Sequence, residues 1–204
     1  MNMLADLKKL IIYSFRLGWF DLKSKYQRSV FGPFWVAIHS AIFITCISFI
    51  WGRILNYDSD VFFVYIASGY VIWWYISELI NSSTTLLLNN RKFITDFKSL
   101  LSIYFRFMFN ILFSHLHSVL FLILYFIFFN KLFFIDFLNL IFSYFIFLVL
   151  FLNVVIFISL FSARFHDLGN LLKSLMGLFF FLTPVIWVPE SHKVPSLFID
   201  LNPF

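Results

Sequence analysis

The sequence predicts an all-α integral membrane protein, and two observations carry that prediction. The first is composition: 62% of the 204 residues are hydrophobic and 12% are charged, with a mean hydropathy of +0.93. A soluble domain is only about half apolar and about a quarter charged, so no soluble core could bury this much apolar surface. The second is that the apolar residues form runs near the length of about 20 with which a helix crosses a bilayer. We therefore expect residues 1–204 to form one transmembrane domain.

The N-terminal segment, residues 2–25, predicts an amphipathic helix that lies in the membrane interface. Its apolar residues recur at helical spacing from Leu4 to Leu22, whereas Lys9, Arg16 and Lys23 cluster on another side. An apolar face opposite a cationic face is typical of a helix that lies on a membrane rather than across it. Because charges interrupt this segment, we expect no cleavable signal peptide. A loose, basic cytoplasmic tail is the alternative.

Five apolar runs follow and predict five membrane spans. They cover residues 34–51, 61–80, 103–129, 137–161 and 175–188. The last run is short and contains Pro184, which should kink the helix or make it partly re-entrant. With a cytoplasmic N-terminus, twelve of the fifteen Lys and Arg residues fall on the inner side, which is the distribution that the positive-inside rule predicts.

The polar connection between the second and third runs, residues 81–102, predicts a short helix on the membrane surface. An apolar repeat runs from Leu86 to Phe97 and is flanked by Arg91, Lys92 and Lys98. We expect this surface helix at about residues 84–99. A plain loop is the alternative.

Titratable groups are scarce in the predicted spans, which argues against an enzyme or an ion-coupled carrier. Glu78 is the only carboxylate inside a span, and Cys46 is the only cysteine, so the chain cannot build a disulfide or zinc framework. No phosphate-binding loop, zinc-protease motif or nucleophile elbow occurs. We expect no catalytic residue, no metal site and no cofactor in this chain.

The third run is the most polar span. Its polar residues Arg106, Asn110, Ser114 and His117 share one helical face, while His115 points away from it. This face could line a pore. Alternatively, Arg106 reaches the interface and the other polar groups make interhelical hydrogen bonds. The tryptophans also allow two interpretations, since Trp73 and Trp74 could stack on sugar rings or simply pack.

Five stretches together resemble the membrane subunits of polysaccharide ABC exporters, the type-2 ABC permease family. KYQRSVFGPFW (25–35) resembles the start of their first span, and SGYVIWWYISELIN (68–81) resembles their second span. The later stretches are SARFHDLGNLL (162–172), FFFLTPVIWVPE (179–190) and LNPF (201–204). They follow the family's order and cover essentially the whole chain. The O-antigen (lipopolysaccharide) export permeases are the most similar members, and capsule and teichoic acid permeases are also similar.

The resemblance implies a homodimer with two ATP-binding subunits docked below it. ATP and Mg²⁺ would bind to those subunits, so this chain would not be an enzyme. The dimer would pass a lipid-linked glycan through a channel in the bacterial inner membrane, with a cytoplasmic N-terminus and no role for nucleic acid. Family members have six spans. Because this chain ends at Phe204, before a sixth, we expect a C-terminally truncated member.

The resemblance also assigns roles to residues. The N-terminal helix and the surface helix would dock the ATP-binding subunits, the latter through Arg91, Lys92, Phe93, Asp96 and Phe97. Gly32 and Pro33 would form a joint between the N-terminal helix and the first span, because glycine permits the turn and proline suits a first helical position. Trp35 would fix the depth of that span.

Two further sets of residues complete these expectations. The candidates for the glycan channel are Trp73, Trp74, Phe180 and Trp187. Arg164 and Asp167 are expected to pair in the inner loop after the fourth span, with simple solvation of both side chains as the alternative.

Three other functions remain open at this point. The same family could export capsular polysaccharide, teichoic acid or a drug. A membrane-embedded glycosyltransferase or polymerase would need a large outer loop, whereas the loops here, about 52–60 and 130–136, are short. A non-transporting membrane scaffold is the third possibility.

Overall fold

The computed structural model describes residues 3–128 and 137–188, which form six α-helices and two short 3-10 turns. The helices are α1 (Met3–Lys25), α2 (Trp35–Leu55), α3 (Ser59–Asn90), α4 (Phe97–Phe128), α5 (Phe137–Arg164) and α6 (His166–Leu182). The 3-10 turns, Gly32–Phe34 and Arg91–Phe93, precede α2 and follow α3. No strand occurs in the described residues, and the predicted all-α class is confirmed. The LNPF stretch lies outside the described residues.

Four stretches of helix are long and apolar enough to cross a membrane, which confirms the predicted membrane character. They are Gly32–Ile54, Val61–Phe93, Phe97–Ile127 and Phe145–Arg164. These four correspond to the first four predicted spans, although the helices extend further than the apolar runs. The predicted total of five spans is not confirmed, because α6 does not qualify among the described residues.

The fifth predicted span, residues 175–188, differs most from the helix that forms. Helix α6 begins nine residues earlier, at His166, and ends at Leu182. Pro184 has no backbone N–H to continue the helix, and the preceding Thr183 is extended, as a residue before proline prefers. The chain then turns back towards α3, where the Tyr65 hydroxyl shares its one hydrogen between the carbonyls of Pro184 (2.5 Å) and Trp187 (3.0 Å).

The predicted separate surface helix at residues 84–99 is also wrong. Helix α3 continues without a break to Asn90, and α4 already begins at Phe97. The polar run after Asn81 stays helical, and the hydroxyls of Ser83 and Thr84 find partners in carbonyls three residues back in the same helix. The connection is therefore a tight turn at the tip of a helical hairpin.

Successive helices from α2 to α5 run antiparallel, and α3 lies at the centre of the bundle. It packs against α2, α4, α5 and α6. One cluster on α3 around Tyr75 and Leu79 meets Val155 of α5 and Met108 of α4. Buried hydroxyls join the other helices, as in the pairs Ser40–Ser118 (3.3 Å) and Tyr104–Ser159 (2.8 Å). Such hydrogen bonds and close packing hold helices together where lipid replaces water.

Candidate docking surface at the hairpin tip

The α3–α4 hairpin ends in a compact, basic and aromatic tip, which we define as residues 91–98. Phe93 and Phe97 are 67% and 75% exposed there, beside the exposed cations Arg91, Lys92 and Lys98. Helices α3 and α4 are each 32 residues long. That is about 48 Å, against a hydrocarbon core of about 30 Å. The surplus length allows the tip to stand clear of the hydrocarbon.

Asp96 shapes this tip by capping α4. Its carboxylate accepts a hydrogen bond from the Ser99 backbone N–H (2.8 Å), while the Ser99 hydroxyl oxygen accepts one from the Asp96 N–H (3.0 Å). This reciprocal pair is a capping box. The Ser99 N–H, followed by the Ser99 side chain, lowers the pKa of Asp96 below its ordinary value. The predicted docking residue Asp96 therefore has a structural role, and its replacement would disturb the helix start as well as any docking.

Helix α1 braces the hairpin by running along α4 in the same direction. Asp6 pairs with Lys98 (3.6 Å), and the hydroxyls of Ser14 and Ser102 lie 3.1 Å apart. Further along, the ring of Phe15 packs edge-on against Phe109. The N-terminal helix thus exists with nearly the predicted bounds. Its position in the membrane interface stays a prediction.

A second ion pair between these helices involves Arg106, which lies in the third candidate membrane span. The Arg106 guanidinium donates to both carboxylate oxygens of Asp21, at 2.5 and 2.6 Å. Both side chains are only about one-third exposed, at 35% and 29%. A charge in a membrane span needs a partner, and a two-pronged arginine–carboxylate contact supplies both charge and fixed geometry.

A close backbone approach accompanies this ion pair. A Cβ atom on Gly18 would lie 2.8 Å from the Phe109 Cβ, 2.9 Å from the Arg106 carbonyl oxygen and 3.0 Å from the Asn110 nitrogen. Only glycine fits at this position without a shift of the helices. The Asn110 amide donates to the Gly18 carbonyl (3.2 Å), so the approach is also hydrogen-bonded.

The polar face predicted on the third span therefore faces α1. Arg106 and Asn110 bind it as described, and the ring of His117 stacks with Trp19 at 6.4 Å. The prediction of an interhelical hydrogen bond is confirmed for Asn110, whereas His117 pairs with the Phe113 carbonyl of its own helix. The pore interpretation does not hold within the described chain, because α1 covers this face. We call this contact between α1 and α4 the polar seam.

Sequence reasoning missed Asp21, the residue that partners Arg106. A signal was available, since α1 carries only two acidic residues, Asp6 and Asp21, and both meet cations of α4. Their partners could not be found by spacing, because the two members of each pair are far apart in sequence.

The predicted joint lies between α1 and α2. Gly32 has a φ of +55°, a conformation that glycine adopts easily, and it meets nothing that a Cβ would strike. Pro33 lies in the 3-10 turn that leads into α2. The half-exposed Trp35 packs edge-on against Phe31 at 5.4 Å. The backbone thus bends here as expected, while movement of the joint stays a prediction.

Tyr26 lies in the segment before this joint and has a raised pKa. The Tyr26 ring is partly buried, and this burial, followed by the nearby negative charge of Glu78, raises the pKa of Tyr26. Glu78 also accepts a hydrogen bond from the Ser82 hydroxyl (3.0 Å). The single carboxylate noted in the predicted spans therefore lies in a local polar contact.

The channel candidates lie in an aromatic cluster between α2, α3 and α6, here defined as Phe43, Tyr70, Trp73, Trp74, Phe180 and Trp187. Trp73 is 6% exposed, and its ring lies 5.9 Å from that of Phe180. The Trp187 indole N–H donates to the Phe181 carbonyl (3.0 Å). A glycan could not stack on Trp73 unless α6 moved away. Of the two interpretations of Trp73, packing is therefore the one that the described chain supports.

The predicted Arg164–Asp167 pair does not form, although both residues lie in the described part of the chain. Helix α5 ends at Arg164, the extended Phe165 redirects the chain, and α6 begins at His166. Arg164 is then at a helix C-terminus and Asp167 in a helix first turn. Each charge is favourable to its own helix dipole, and both side chains are exposed.

The chain matches no family model and no curated protein. Membership of the type-2 ABC permease family, which the sequence motifs suggest, thus stays a prediction.

Proposed function

We propose that the chain is the channel-forming membrane subunit of an ATP-driven exporter of lipid-linked polysaccharide, with O-antigen as the cargo. In this proposal two copies form the pore in a bacterial inner membrane, with cytoplasmic N-termini. Two separate ATP-binding subunits bind ATP and Mg²⁺ and carry out hydrolysis. The proposal rests on the five sequence motifs together with the form of the hairpin tip.

The exposed pair Phe93 and Phe97 is the observation that supports docking best. Aromatic residues and arginine are enriched in protein interfaces, where a few buried anchors contribute most of the affinity. Here two phenylalanines stand among three cations on a turn of a few residues. Insertion of such an exposed phenylalanine into an apolar pocket of a partner would remove its ring from water, which would stabilise the complex.

The contacts of the polar seam and the unbroken helices would allow the hairpin tip to transmit movement to the rest of the bundle. Lys98 of the tip is paired with Asp6, and Arg106 farther along α4 is paired with Asp21. A displacement of the tip would therefore carry α1 along with α3 and α4. This lever would convert closure of the ATP-binding subunits into opening of the glycan channel, a coupling between two distinct sites.

Co-purification with the ATP-binding subunit encoded by a neighbouring gene tests the proposal. Phe93→Asp should abolish complex formation and surface glycan, because a carboxylate cannot enter an apolar pocket. Phe165→Asp is the matched control, since Phe165 is 57% exposed in the α5–α6 turn. We avoid Asp96 because of its capping role. Normal binding and export by Phe93→Asp would overturn the docking assignment.

The same preparation separates the remaining functions. ATPase stimulation by the membrane subunit distinguishes a transporter from a scaffold, which would bind without stimulation. The cargo is identified by the glycan that accumulates inside cells lacking the chain, namely O-antigen, capsular polysaccharide or teichoic acid. Glycan synthesis that stops altogether would instead favour a glycosyltransferase or polymerase.

A further inference from the structure

A cavity of about 260 Å³ lies between α1, α3 and α4 near the hairpin tip and has no role in the docking proposal. Its polar lining comes from Asp21 and Lys25 of α1, Asn90 of α3, and Arg106 and Asn110 of α4. Its apolar lining is Leu86, Ile103 and Phe107. A pocket with an apolar wall and a few convergent polar groups is the usual form of a ligand site.

The charges of this lining favour an anion. Lys25 and Arg106 contribute two positive charges, and Asp21 contributes one negative charge that Arg106 already binds. Arg106 uses its Nε and one terminal nitrogen for Asp21, which leaves further N–H groups for a ligand. Lys25 forms no ion pair in the described chain. The cavity therefore retains a net positive charge and several cationic donors.

The asparagines add to this donor set. The Asn90 amide donates one hydrogen bond to the Leu86 carbonyl, and the Asn110 amide donates one to the Gly18 carbonyl. Each amide nitrogen carries a second hydrogen that these contacts do not use. Two amides and two cations around one cavity provide the kind of donors that phosphate oxygens accept.

The cavity lies at the end of the bundle that carries the hairpin tip. Its lining residue Asn90 is the last residue of α3, and Ile103 lies in the second turn of α4. Lipid headgroups meet a membrane bundle at its ends rather than in its middle, so a lipid phosphate can reach this cavity.

We propose that this cavity binds a phosphate group through Lys25 and Arg106. The phosphate could belong to an anionic phospholipid, whose first acyl carbons would contact Leu86 and Phe107, or it could be a free phosphate. The site does not depend on the export function proposed above. A bound phosphate would bridge α1 to α3 and α4.

The experiment uses the full-length protein in nanodiscs of phosphatidylcholine with a minor fraction of phosphatidylglycerol. Native mass spectrometry after transfer to detergent counts the phosphatidylglycerol that stays bound. Lys25→Gln should lower this retention by about tenfold, the order expected for loss of one charge-assisted hydrogen bond. Lys23→Gln is the matched control, because Lys23 is exposed on the same helix but does not line the cavity.

Two further arms complete the test. Asp21→Asn should increase retention, since it removes the only negative charge of the lining and releases Arg106. Titration with inorganic phosphate separates the two sources: displacement of the lipid at millimolar phosphate identifies free phosphate as the better ligand. Equal retention by the Lys25 and Lys23 variants would overturn the proposal, as would wild-type protein that retains no phosphatidylglycerol and binds no phosphate.

Discussion

The polar seam and the aromatic cluster hold the bundle together by different means. In the polar seam, an ion pair and a hydrogen bond surround one glycine at which two backbones nearly touch. In the aromatic cluster, the contacts are between rings, such as those of Phe43 and Tyr70, whose centroids lie 4.2 Å apart. Polar contacts fix one register of two helices, whereas ring packing tolerates shifts. The difference predicts that substitutions in the polar seam lower the free energy of unfolding more than substitutions in the aromatic cluster do.

The largest effect should come from Gly18→Ala, which tests the seam directly. The added Cβ would approach backbone atoms of α4 to 3.0 Å or less, so the helices must separate. We expect a loss of about 2–3 kcal/mol in the free energy of unfolding, measured by SDS titration in mixed micelles.

Gly177→Ala is the matched control for that substitution. Gly177 lies in α6 with nothing near its missing Cβ. An alanine there should stabilise by about 0.5–1 kcal/mol, because glycine weakens a helix interior. If Gly18→Ala also raised the free energy of unfolding, the close approach of the two backbones in the seam would not matter for stability.

The ion pair of the seam should give the next largest effect. Arg106→Ala leaves the Asp21 carboxylate without its partner and should cost about 2 kcal/mol, a value reduced for partial exposure. Asp21→Ala combined with Arg106→Ala should cost less than the two single changes added together, because the residues interact directly. The exposed pair Asp6–Lys98 is the control, and Lys98→Ala should change stability by less than about 0.5 kcal/mol.

A smaller effect is expected in the aromatic cluster. Phe180→Leu keeps an apolar side chain but loses ring contacts with Tyr70 and Trp73. We expect a loss below about 1.5 kcal/mol, since apolar replacements of similar volume are tolerated. A loss greater than that of Gly18→Ala, measured by the same SDS titration, would reverse the ranking of the two regions.

The smallest effect concerns pH at the hairpin tip. Because folding lowers the pKa of Asp96 below 3.8, its cap stabilises α4 above that pH and is lost as the pH falls through the folded value. The protection factors of the Ser99 and Leu100 amides, which correct for the intrinsic slowing of exchange in acid, should therefore decrease as the pH falls, and Asp96→Asn should remove this decrease. An equal decrease in both proteins would contradict the capping role.

Much of the fold could be predicted from the sequence because the signals were local. Apolar runs gave four of the helices, and the periodicity of residues 2–25 gave α1 almost to the residue. The ends of helices were harder. Thr84 and its polar neighbours looked like a loop, yet their hydroxyls bond to their own helix. Helix α6 starts before its apolar run, where Asp167 in the first turn is favourable to the helix dipole.

Some residues of the candidate sites could also be predicted from local signals, whereas others could not. The exposure of Phe93 and Phe97 followed from their place in a polar connection, and the bend at Gly32 followed from the Gly-Pro pair. The capping role of Asp96 was within reach too, since Ser99 lies three residues away. Arg164 and Asp167 have that same spacing but do not pair, because the extended Phe165 lies between two helices.

The sequence by itself determined the all-α, membrane-like class of this protein and four of its long apolar helices, because composition and periodicity act within one or two helical turns. Only the tertiary structure decided which helices touch. That choice gave Arg106 its partner Asp21, covered the polar face of α4 with α1, and enclosed Trp73 behind α6. These contacts join residues far apart in the chain, and their energies depend on a geometry that exists only once the helices have packed.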